Sequence, residues 1–501
     1  MHIAMLLEMA ADADPARVAL GPRGSGRSNA ELLRLSRQTA SWLGRSGLRQ
    51  VAFIGENCPE LPQLLYGCAL AGSQLTPINY RLSDPQISQV LSRIAPAVAV
   101  SDDPSMPGRI EVAGIRWMDR AELQASIAGL PSDLPGRAEP DPDAVVVQLF
   151  TSGTSGEPKA ATLRNRHLAN YVLGSVEFMN AASDECALVS VPPYHIAGIS
   201  ALLTSTFAGR RTVQLGSFEP ADWVRTARAE SVTHAMVVPT MLARIIGVLE
   251  AESESLPALR HLSYGGGQMP VSLIERALEL LGQVDFVNAY GLTETSSTVS
   301  LLSPTDHRAA KSSVQPAVRA RLGSVGRPVP GIELQIRDEA SRPVPAGVGG
   351  EIYVRGPQVA GEYAGVDPEL PDGWFATRDA GYLDAEGYLF VDGRLDDVIV
   401  RGGENISPGE VESALLGHPA VADAGVVGLP DPEWGEQVVA AVVLRAGQLA
   451  TEDALRCWVR DQLRSARTPQ RIAFLDALPY TDTGKLLRRI LKAELASSGK
   501  G

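Results

Sequence analysis

The stretch Val145–Ala160 reads VVVQLFTSGTSGEPKA and joins an apolar, β-branched run to a loop of hydroxyls, glycines and a lysine. The apolar run predicts a buried strand. Glycines let backbone N–H groups turn toward an anion and a lysine adds a positive charge, so the loop is typical of a polyphosphate site. No Gly-Lys-Ser/Thr follows, which excludes a Walker A loop, while an ordinary polar turn stays open as the alternative. The predicted phosphate contacts are Thr151, Ser152, Gly153, Thr154, Ser155, Gly156 and Lys159.

The composition is that of a soluble globular chain. Its 501 residues, 45% hydrophobic and 21% charged, suffice for about two to four domains. A net charge of −13 without a basic stripe argues against a nucleic-acid partner. Four scattered cysteines with no C-x-x-C pair argue against a zinc site or a disulfide framework, so we expect a cytoplasmic protein. No signal-peptide pattern and no apolar run of about 18 residues occur, so we expect no transmembrane segment.

Apolar strands alternate with amphipathic helices from about residue 143 onward, which predicts parallel sheets covered by helices on both faces. In such sheets ligands bind at the carboxyl ends of the strands. Beyond residue 320, closely spaced strands with Gly/Pro-rich turns predict a small antiparallel region. The predicted strands include Val51–Gly55, Ala144–Phe150, Ala187–Val191, His234–Val238, Arg260–Tyr264 and Asp285–Ala289, and the predicted helices include Met241–Glu250 and Val271–Leu281.

A compact α+β unit of about a hundred residues follows Asp397 and is large enough to fold separately. Within it, the run Ser407–Glu410 (SPGE) predicts a capping box with proline at the first helical position. The chain therefore divides into two domains of very unequal size, with the boundary predicted at Arg394–Asp397.

Three of the predicted strands end in unusual loops. His195 follows one strand in PPYHIAG, and the triplet Gly265–Gly267 follows another, where only backbone can lie close to a ligand. Tyr290 and, four residues on, Glu294 follow the third. A flat ring suits stacking on a purine, and a carboxylate beside phosphates suits Mg²⁺. Each feature alone also fits a structural role, but their joint placement at strand ends favours a nucleotide site.

Six motifs, in order along nearly the whole chain, resemble those of the adenylate-forming superfamily of acyl-CoA synthetases, adenylation domains and luciferases: TSGTSGEPKA, PPYHIAG, AYGLTE, TRDAGYLD, GRLDDVIVRGGENISPGEVE and PYTDTGKLLRR. The resemblance implies an AMP-forming acyl-CoA ligase, which converts a carboxylate and ATP into acyl-adenylate and pyrophosphate and then transfers the acyl group to CoA with release of AMP. It implies ATP, Mg²⁺ and coenzyme A as cofactors or co-substrates and a small-molecule carboxylic acid as substrate. It leaves a homodimer open.

The same resemblance implies an α/β fold and a division of labour along the chain. Residues 1–394 form a large domain of parallel-rich sheets flanked by helices plus a small β region, 395–397 a hinge at Asp396, and 398–501 a small mobile α+β domain. Lys485, Glu294 and His195 are expected to be catalytic, and Glu294 to bind Mg²⁺. The other implied contacts are Gly265, Gly266, Gly267, Asn288, Ala289, Tyr290, Gly291, Thr293, Asp379 and Arg394 for ATP, the last two at the ribose, and Gly402, Gly403, Trp434 and Arg467 for CoA.

Two departures from the superfamily pattern lie beside the predicted ribose and CoA sites. Arg378 replaces the glycine of the TGD motif, and two contacts stay open for it, the nucleotide or a domain interface. Members of the superfamily often have a Tyr/Phe-Lys pair near the CoA phosphate, and this chain has Ala466 and Arg467 in its place. Trp434 also fits a plain role in domain packing.

The acyl pocket is predicted to be apolar, with small glycine gaps and no arginine or lysine for a second carboxylate. Its expected wall is Tyr194, His195, Tyr264, Gly267 and Thr295. We therefore expect a medium- or long-chain fatty acid or an aromatic monocarboxylate. Two alternatives are an acyl-AMP ligase or adenylation enzyme that loads a carrier protein, and a nucleotide-binding protein without catalysis. The short span Gly356–Asp379 favours CoA over a carrier, and the retained motif residues argue against loss of catalysis.

Overall fold

The computed structural model describes residues 1–133, 140–151, 159–252, 255–365, 371–402, 404–463, 465–481 and 486–497. Its strands, in chain order, are β1 (Val18–Leu20), β2 (Arg27–Ser28), β3 (Gln50–Ile54), β4 (Gln74–Ile78), β5 (Ala97–Val100), β6 (Ile115–Met118), β7 (Val145–Thr151), β8 (Lys159–Arg164), β9 (Cys186–Val189), β10 (Arg211–Gln214), β11 (His234–Val237), β12 (His261–Gly265), β13 (Asp285–Leu292), β14 (Ser297–Leu302), β15 (Arg327–Pro328), β16 (Glu333–Arg337), β17 (Gly350–Arg355), β18 (Phe375–Leu383), β19 (Leu389–Arg394), β20 (Ile399–Arg401), β21 (Glu404–Ile406), β22 (Val421–Asp431), β23 (Gly435–Leu444) and β24 (Arg471–Phe474).

The helices are α1 (Ala4–Ala13), α2 (Asn29–Ser46), α3 (Glu60–Ala71), α4 (Asp84–Ile94), α5 (Met106–Arg109), α6 (Arg120–Ile127), α7 (Asn165–Ser175), α8 (Ile196–Ala208), α9 (Pro220–Ala229), α10 (Pro239–Ala251), α11 (Val271–Leu280), α12 (Pro304–Ser312), α13 (Pro316–Ala320), α14 (Pro408–Leu416), α15 (Glu452–Gln462) and α16 (Arg488–Ser497). Short 3₁₀ turns span Thr293–Thr295, Leu395–Asp397 and Ser465–Arg467, among others.

The strands of the described residues form four sheets. A nine-stranded sheet, β15-β14-β13-β12-β11-β9-β10-β1-β2, is parallel from β13 to β1 and antiparallel at both edges. A six-stranded sheet, β6-β5-β3-β4-β7-β8, is parallel except for the β7–β8 pair. An antiparallel sheet, β16-β17-β18-β19, comes next, and β21-β20-β23-β22 with β24 beside β23 forms the C-terminal domain. The predicted α/β fold class, with its small β region and smaller C-terminal domain, is confirmed.

Strand β7 departs from the predicted alternation of parallel strands and helices. Strands β9, β11, β12 and β13 share the nine-stranded sheet, whereas β7 lies in the other sheet and pairs antiparallel with β8, Thr151 opposite Lys159. The two strands on either side of the phosphate-type loop are therefore antiparallel neighbours, and β8 intervenes before helix α7. Strand β8 was not predicted from the sequence, because the first residues of β8 belong to the polar loop motif.

Separate hydrophobic cores fill the two domains. The six-stranded sheet packs on α2, α3 and α8, and the nine-stranded sheet packs on α9, α10 and α11. The C-terminal domain has its own core from Ile399 to Ile472. Among the described residues, no core cluster mixes positions before 395 with positions after 398. None of the described helices combines the length and apolarity needed to span a bilayer.

The predicted capping box at Ser407 is wrong. The Ser407 side chain makes no cap hydrogen bond, and its hydroxyl donates instead to the Asp392 carbonyl oxygen at 2.5 Å. Glu410 accepts from Arg467 Nε at 2.5 Å. Both polar side chains thus form tertiary contacts that outcompete the local cap, while Pro408 does occupy the first turn of the helix.

Candidate active site

The two ends of the phosphate-type loop lie at the edge of the six-stranded sheet. Thr151 ends β7 and Lys159 begins β8. The loop residues Ser152, Gly153, Thr154, Ser155 and Gly156 lie outside the described residues, as do Gly403 and Lys485. Their predicted roles stay predictions.

Glu294 lies in a 3₁₀ turn directly after β13, where it is 8% exposed. Tyr363 donates its hydroxyl to Glu294 Oε1 at 2.5 Å, and Lys159 Nζ stands 5.5 Å from the centre of the Tyr363 ring. Burial, and then the Glu294 carboxylate, raise the pKa of Tyr363, so its hydroxyl stays a donor. Tyr363 therefore connects the predicted metal ligand to the predicted phosphate lysine.

The segment around Tyr363 is held against β8 by backbone and side-chain contacts. Thr162 N donates to the Glu362 carbonyl oxygen at 3.0 Å, and Ala364 N donates to the Ala160 carbonyl oxygen at 2.8 Å. The Arg164 guanidinium forms a two-pronged pair with the Glu362 carboxylate at 2.7–3.0 Å. Charge-assisted pairs with this geometry fix orientation strongly. The result is an extra strand-like segment that aims Tyr363 at Glu294.

Tyr290, Asp379 and Arg394 form a second cluster. The Tyr290 hydroxyl donates to Asp379 Oδ2 at 2.7 Å, and Arg394 Nε lies 3.1 Å from Asp379 Oδ1. Asp379 and Arg394 are also directly opposite in the β18–β19 ladder. Arg394 further donates to the Thr377 carbonyl oxygen at 3.0 Å. Burial and the Asp379 charge raise the pKa of Tyr290 well above its ordinary value, so the phenol is protonated and donates.

The glycine loop after β12 lies beside β13. A Cβ on Gly265 would stand 2.2 Å from the Ala289 carbonyl oxygen, so no side chain fits where the two strand ends meet. Gly266 and Gly267 are exposed. Gln268, next in the chain, reaches α14 of the C-terminal domain, where its Nε2 lies 3.5 Å from Ser413 Oγ. Ala289, Gly291 and Thr293 lie along the end of β13 and its turn.

An aromatic cluster lies at the start of α8. The rings of Tyr194 and His195 are 4.8 Å apart, and Tyr80 stands edge-on to Tyr194 at 6.0 Å. Arg81 covers the outer face of Tyr80 at 5.4 Å. Gly198 allows the helix to approach this turn, because a Cβ there would lie 3.1 Å from the Pro192 carbonyl oxygen. Tyr80, from a segment that the sequence did not single out, thus belongs with the predicted acyl residues.

Asp396 lies in the 3₁₀ turn that joins the two domains. Its Oδ1 accepts from Arg378 at 3.1 Å. In this structure the Arg378 side chain therefore contacts the turn that contains Asp396.

The hairpin of β20 and β21 carries Gly402 at its tip. Gly402 N donates to the Trp434 carbonyl oxygen at 2.8 Å, and its φ of +60° with only 2.9 Å between an added Cβ and the indole favours glycine there. Trp434 is 48% exposed and lies under the Arg401 guanidinium at 5.5 Å. Arg467 pairs with Glu410 and lies 3.9 Å from Glu404. Gly402 and Trp434 are therefore brought together, with Arg467 beside the same hairpin.

The sequence profile described as "AMP-binding enzyme" matches residues 7–364, and the profile of the AMP-binding enzyme C-terminal domain matches residues 410–485. The chain belongs to the AMP-binding enzyme family. This confirms the predicted membership of the adenylate-forming acyl-CoA synthetases and the predicted class of enzyme, an acid–thiol ligase.

Several characterised members of the family are similar to this AMP-binding enzyme over nearly its whole length. A feruloyl-CoA synthase from Amycolatopsis sp is 34% identical, with 95% of each chain covered. The fatty acid–[acyl-carrier-protein] ligase ScoC from Streptomyces coeruleorubidus is 33% identical, over 96% of this chain and 93% of that one. The O-succinylbenzoate coenzyme A synthetase of Bacillus subtilis, solved with ATP and a magnesium ion, superposes with a TM-score of 0.84 at 29% identity, covering 97% and 99%. Its ligands agree with the predicted cofactors.

Two predicted acyl-wall residues of this AMP-binding enzyme, Tyr264 and Thr295, have no exposed surface in this structure. Tyr264 has no exposed surface, because alternation along β12 turns it into the core beneath α12, where its hydroxyl pairs with His307 Nε2 at 2.8 Å. Thr295 is likewise fully buried, and its Oγ1 closes the turn by contacts with Leu292 and Ser297. Their predicted contacts with the acid stay predictions. The side-chain amide of Asn288 donates its Nδ2 to the Ser324 carbonyl oxygen, so this group already has a partner within the fold.

Three residues of the two clusters escaped the sequence analysis: Tyr363, Glu362 and Arg164. Their sequence neighbourhoods carry no motif, since they belong to a pairing between segments nearly two hundred residues apart. Only a signal of spatial contact, such as covariation of position 164 with 362, would have revealed them.

Proposed function

We propose that this enzyme is an AMP-forming acyl-CoA ligase acting on an aromatic or fatty monocarboxylate. The observation that carries the proposal is the junction at the end of β13, where one strand supplies Tyr290 to the Asp379–Arg394 cluster and Glu294 to the Tyr363–Lys159 cluster. A nucleotide that contacts both clusters would have its sugar at one and its phosphates at the other. That geometry suits attack at the α-phosphate between them.

The first half-reaction is attack of an ionised carboxylate on the α-phosphate of ATP. The carboxylate needs no general base, because it is deprotonated at pH 7. The obstacle is charge repulsion, about 4 kcal/mol for two unit charges 4 Å apart at an effective dielectric near 20. In this proposal Lys159 attends the departing phosphates and Lys485 the reacting carboxylate and α-phosphate. His195 borders the acid.

Glu294 fits the role of a magnesium ligand. Mg²⁺ in nucleotide enzymes is bound through one or two carboxylates plus substrate phosphates, so a single carboxylate at the phosphate side is sufficient. Tyr363 occupies one Glu294 oxygen and leaves the other oxygen available for a metal. The bound ion would neutralise phosphate charge and so lower the repulsion that the carboxylate meets.

The second half-reaction transfers the acyl group from AMP to the thiol of CoA. Gly402 and Gly403 would let the pantetheine arm pass the hairpin tip, and Trp434 offers an exposed aromatic surface beside it. Arg467 would approach the CoA phosphates, in competition with Glu410. This role requires the small domain, 398–501, to change its position relative to residues 1–394 about the hinge at 395–397.

The acid is proposed to be a monocarboxylate with an aromatic or extended apolar body. Tyr80, Tyr194 and His195 give an aromatic wall suited to ring stacking. The names of similar enzymes include a feruloyl-CoA synthase and an indoleacetate–CoA ligase, whose acyl groups are aromatic, and a fatty-acid ligase. The name of the fatty-acid ligase gives an acyl-carrier protein as the acceptor. A carrier protein is therefore the second candidate for the acceptor of this enzyme.

A panel of carboxylic acids tests the function. Each acid is incubated with enzyme, ATP and Mg²⁺, with and without CoA, and both pyrophosphate and AMP are measured. We expect AMP release that depends on CoA without any carrier protein, with aromatic or fatty monocarboxylates. AMP release that requires a carrier protein would show that the acceptor is a carrier protein and not CoA. Turnover of diacids alone would overturn the proposed substrate class.

The Lys485→Ala variant tests the separation of the half-reactions. We expect it to abolish adenylation while it spares thioester formation from supplied acyl-adenylate, because the lysine acts only where the P–O bond forms. Equal loss of both half-reactions would contradict the two positions of the small domain.

A further inference from the structure

Two consecutive residues of β18 reach different partners because the strand bulges there. Between Ala376 and Ala380 it has three residues where β17 has one. Bulges next to active sites re-aim side chains. Here Asp379 turns inward and is 7% exposed, whereas the Arg378 side chain turns outward with 64% of its surface exposed.

Arg378 adopts a backbone conformation that ordinarily belongs to glycine. Its φ is +63°. This left-handed conformation costs free energy for any residue that carries a Cβ atom. A strained backbone at a site is a reason to look for what the side chain contributes. The TGD pattern of the superfamily has glycine at this place, so in this chain the arginine adds a contact that glycine cannot make.

The contact is an ion pair to the hinge. Arg378 Nη2 lies 3.1 Å from Asp396 Oδ1, and the next residue, Asp397, lies 3.6 Å from Arg488 Nε in the C-terminal domain. Arg488 is itself bonded to Glu412 of α14 at 2.9 Å. The two hinge aspartates are thus paired to opposite domains, one with the large domain and one with the small domain.

We propose that Arg378 is a positioning residue that favours the domain arrangement seen here, through its ion pair with Asp396, and so adjusts how the enzyme divides between its two half-reactions. The effect on the two half-reactions rests on the proposed function, whereas the effect on the domain arrangement does not. An exposed ion pair is weak and reversible. It can therefore bias a hinge without locking it.

The test removes the ion pair without adding strain. Arg378→Asn deletes the charge, and asparagine tolerates a left-handed backbone, so folding is preserved. Arg378→Lys keeps the charge, and Arg342→Asn removes a similarly exposed Arg–Asp pair from the β16–β17 hairpin as the matched control. In Arg378→Asn we expect one half-reaction to rise and the other to fall, each by about two- to five-fold. Arg378→Lys should keep most of the parent behaviour and Arg342→Asn all of it.

A distance measurement reads the hinge without relying on activity. Val314 and Leu449 are 96% and 93% exposed and lie in the two domains. They are changed to cysteine in a Cys457→Ser background, because Cys457 is exposed and the other cysteines are buried. Paired spin labels then report the interdomain distance in the full-length enzyme.

Arg378→Asn is expected to shift or broaden this distance distribution, and adding Asp396→Asn should change it no further, since both substitutions break one pair. Identical distributions in the parent and Arg378→Asn would overturn the proposal, and so would equal falls in both half-reactions. If no acid is adenylated by the parent, the proposed function fails while the distances still decide the role of Arg378.

Discussion

The cluster of Asp379, Tyr290 and Arg394 and the ion pair of Arg378 with Asp396 are built partly by neighbouring residues, yet they differ in burial and in the number of partners. Asp379 has 10% of its side chain exposed and contacts both Tyr290 and Arg394, whereas Arg378 and Asp396 expose 64% and 43% and form one pair. A buried carboxylate with several charge-assisted partners holds one geometry, and removing it leaves charges uncompensated. An exposed pair contributes about 0.2–1 kcal/mol and is screened by salt. In the proposed function, the first group belongs to a part that stays fixed and the second to a part that moves.

The largest effect is expected from Asp379→Asn. The substitution keeps the shape but removes the charge that pairs with Arg394 and, in the proposed function, contacts the ribose. We expect kcat/KM for ATP in the adenylation half-reaction to fall by about 100-fold or more. Acid-dependent exchange of pyrophosphate into ATP measures it. Glu386→Gln, an exposed carboxylate in the turn of the same β18–β19 hairpin, is the control. A loss below about three-fold for Asp379→Asn would remove Asp379 from the site.

Tyr290→Phe should have an intermediate effect of about ten-fold on the same parameter, because one hydrogen bond to a charged group is lost. Tyr388→Phe is a matched control, since its hydroxyl bonds Asp306 at 2.7 Å outside the site. The raised pKa of Tyr290 keeps the phenol protonated, so the penalty should stay constant from about pH 7 to pH 10. A penalty that shrinks toward pH 10 would mean that the phenol ionises there and would contradict the buried cluster.

The smallest effect is the response to salt. Raising ionic strength from about 0.05 M to about 0.5 M should abolish the roughly two- to five-fold difference between the parent and Arg378→Asn, because the exposed pair is screened. The difference between the parent and Tyr290→Phe should persist, because the Asp379 carboxylate in that contact is buried. The measurement is the ratio of parent to variant rates at each salt concentration, which cancels the effect of salt on ATP binding itself. Equal sensitivity of both ratios would erase the distinction between the clusters.

The sequence predicted most of the fold because its periodic signals are local. The predicted strand His234–Val238 is observed as His234–Val237, and the predicted helix Val271–Leu281 as Val271–Leu280. The placement of β7 in a different sheet from β9 was not predictable, because sheet partners are fixed by packing between distant segments. The cap at Ser407 failed for the same reason, since tertiary partners replaced the local ones.

The site was predictable where residues follow strand ends and unpredictable where they depend on side-chain direction. Tyr290, Asp379 and Arg394 lie in contact although about a hundred residues separate the first from the last. Their grouping was predictable because each residue belongs to a recognisable motif. The direction of Tyr264 was not predictable, because one step along a strand reverses the face, and its side chain points into the core. Tyr363 has no motif of its own, and its position depends on the pairing with β8.

The transfer of an oxygen atom tests the central claim most directly. The substrate acid is labelled with oxygen-18 in its carboxylate, and the products of a complete reaction with ATP and CoA are analysed by mass spectrometry. Attack of the carboxylate on the α-phosphate, followed by thiol attack on the acyl carbon, leaves one labelled oxygen in AMP and none in pyrophosphate. Formation of ADP, or AMP without label, would contradict an acyl-adenylate and with it the proposed reaction.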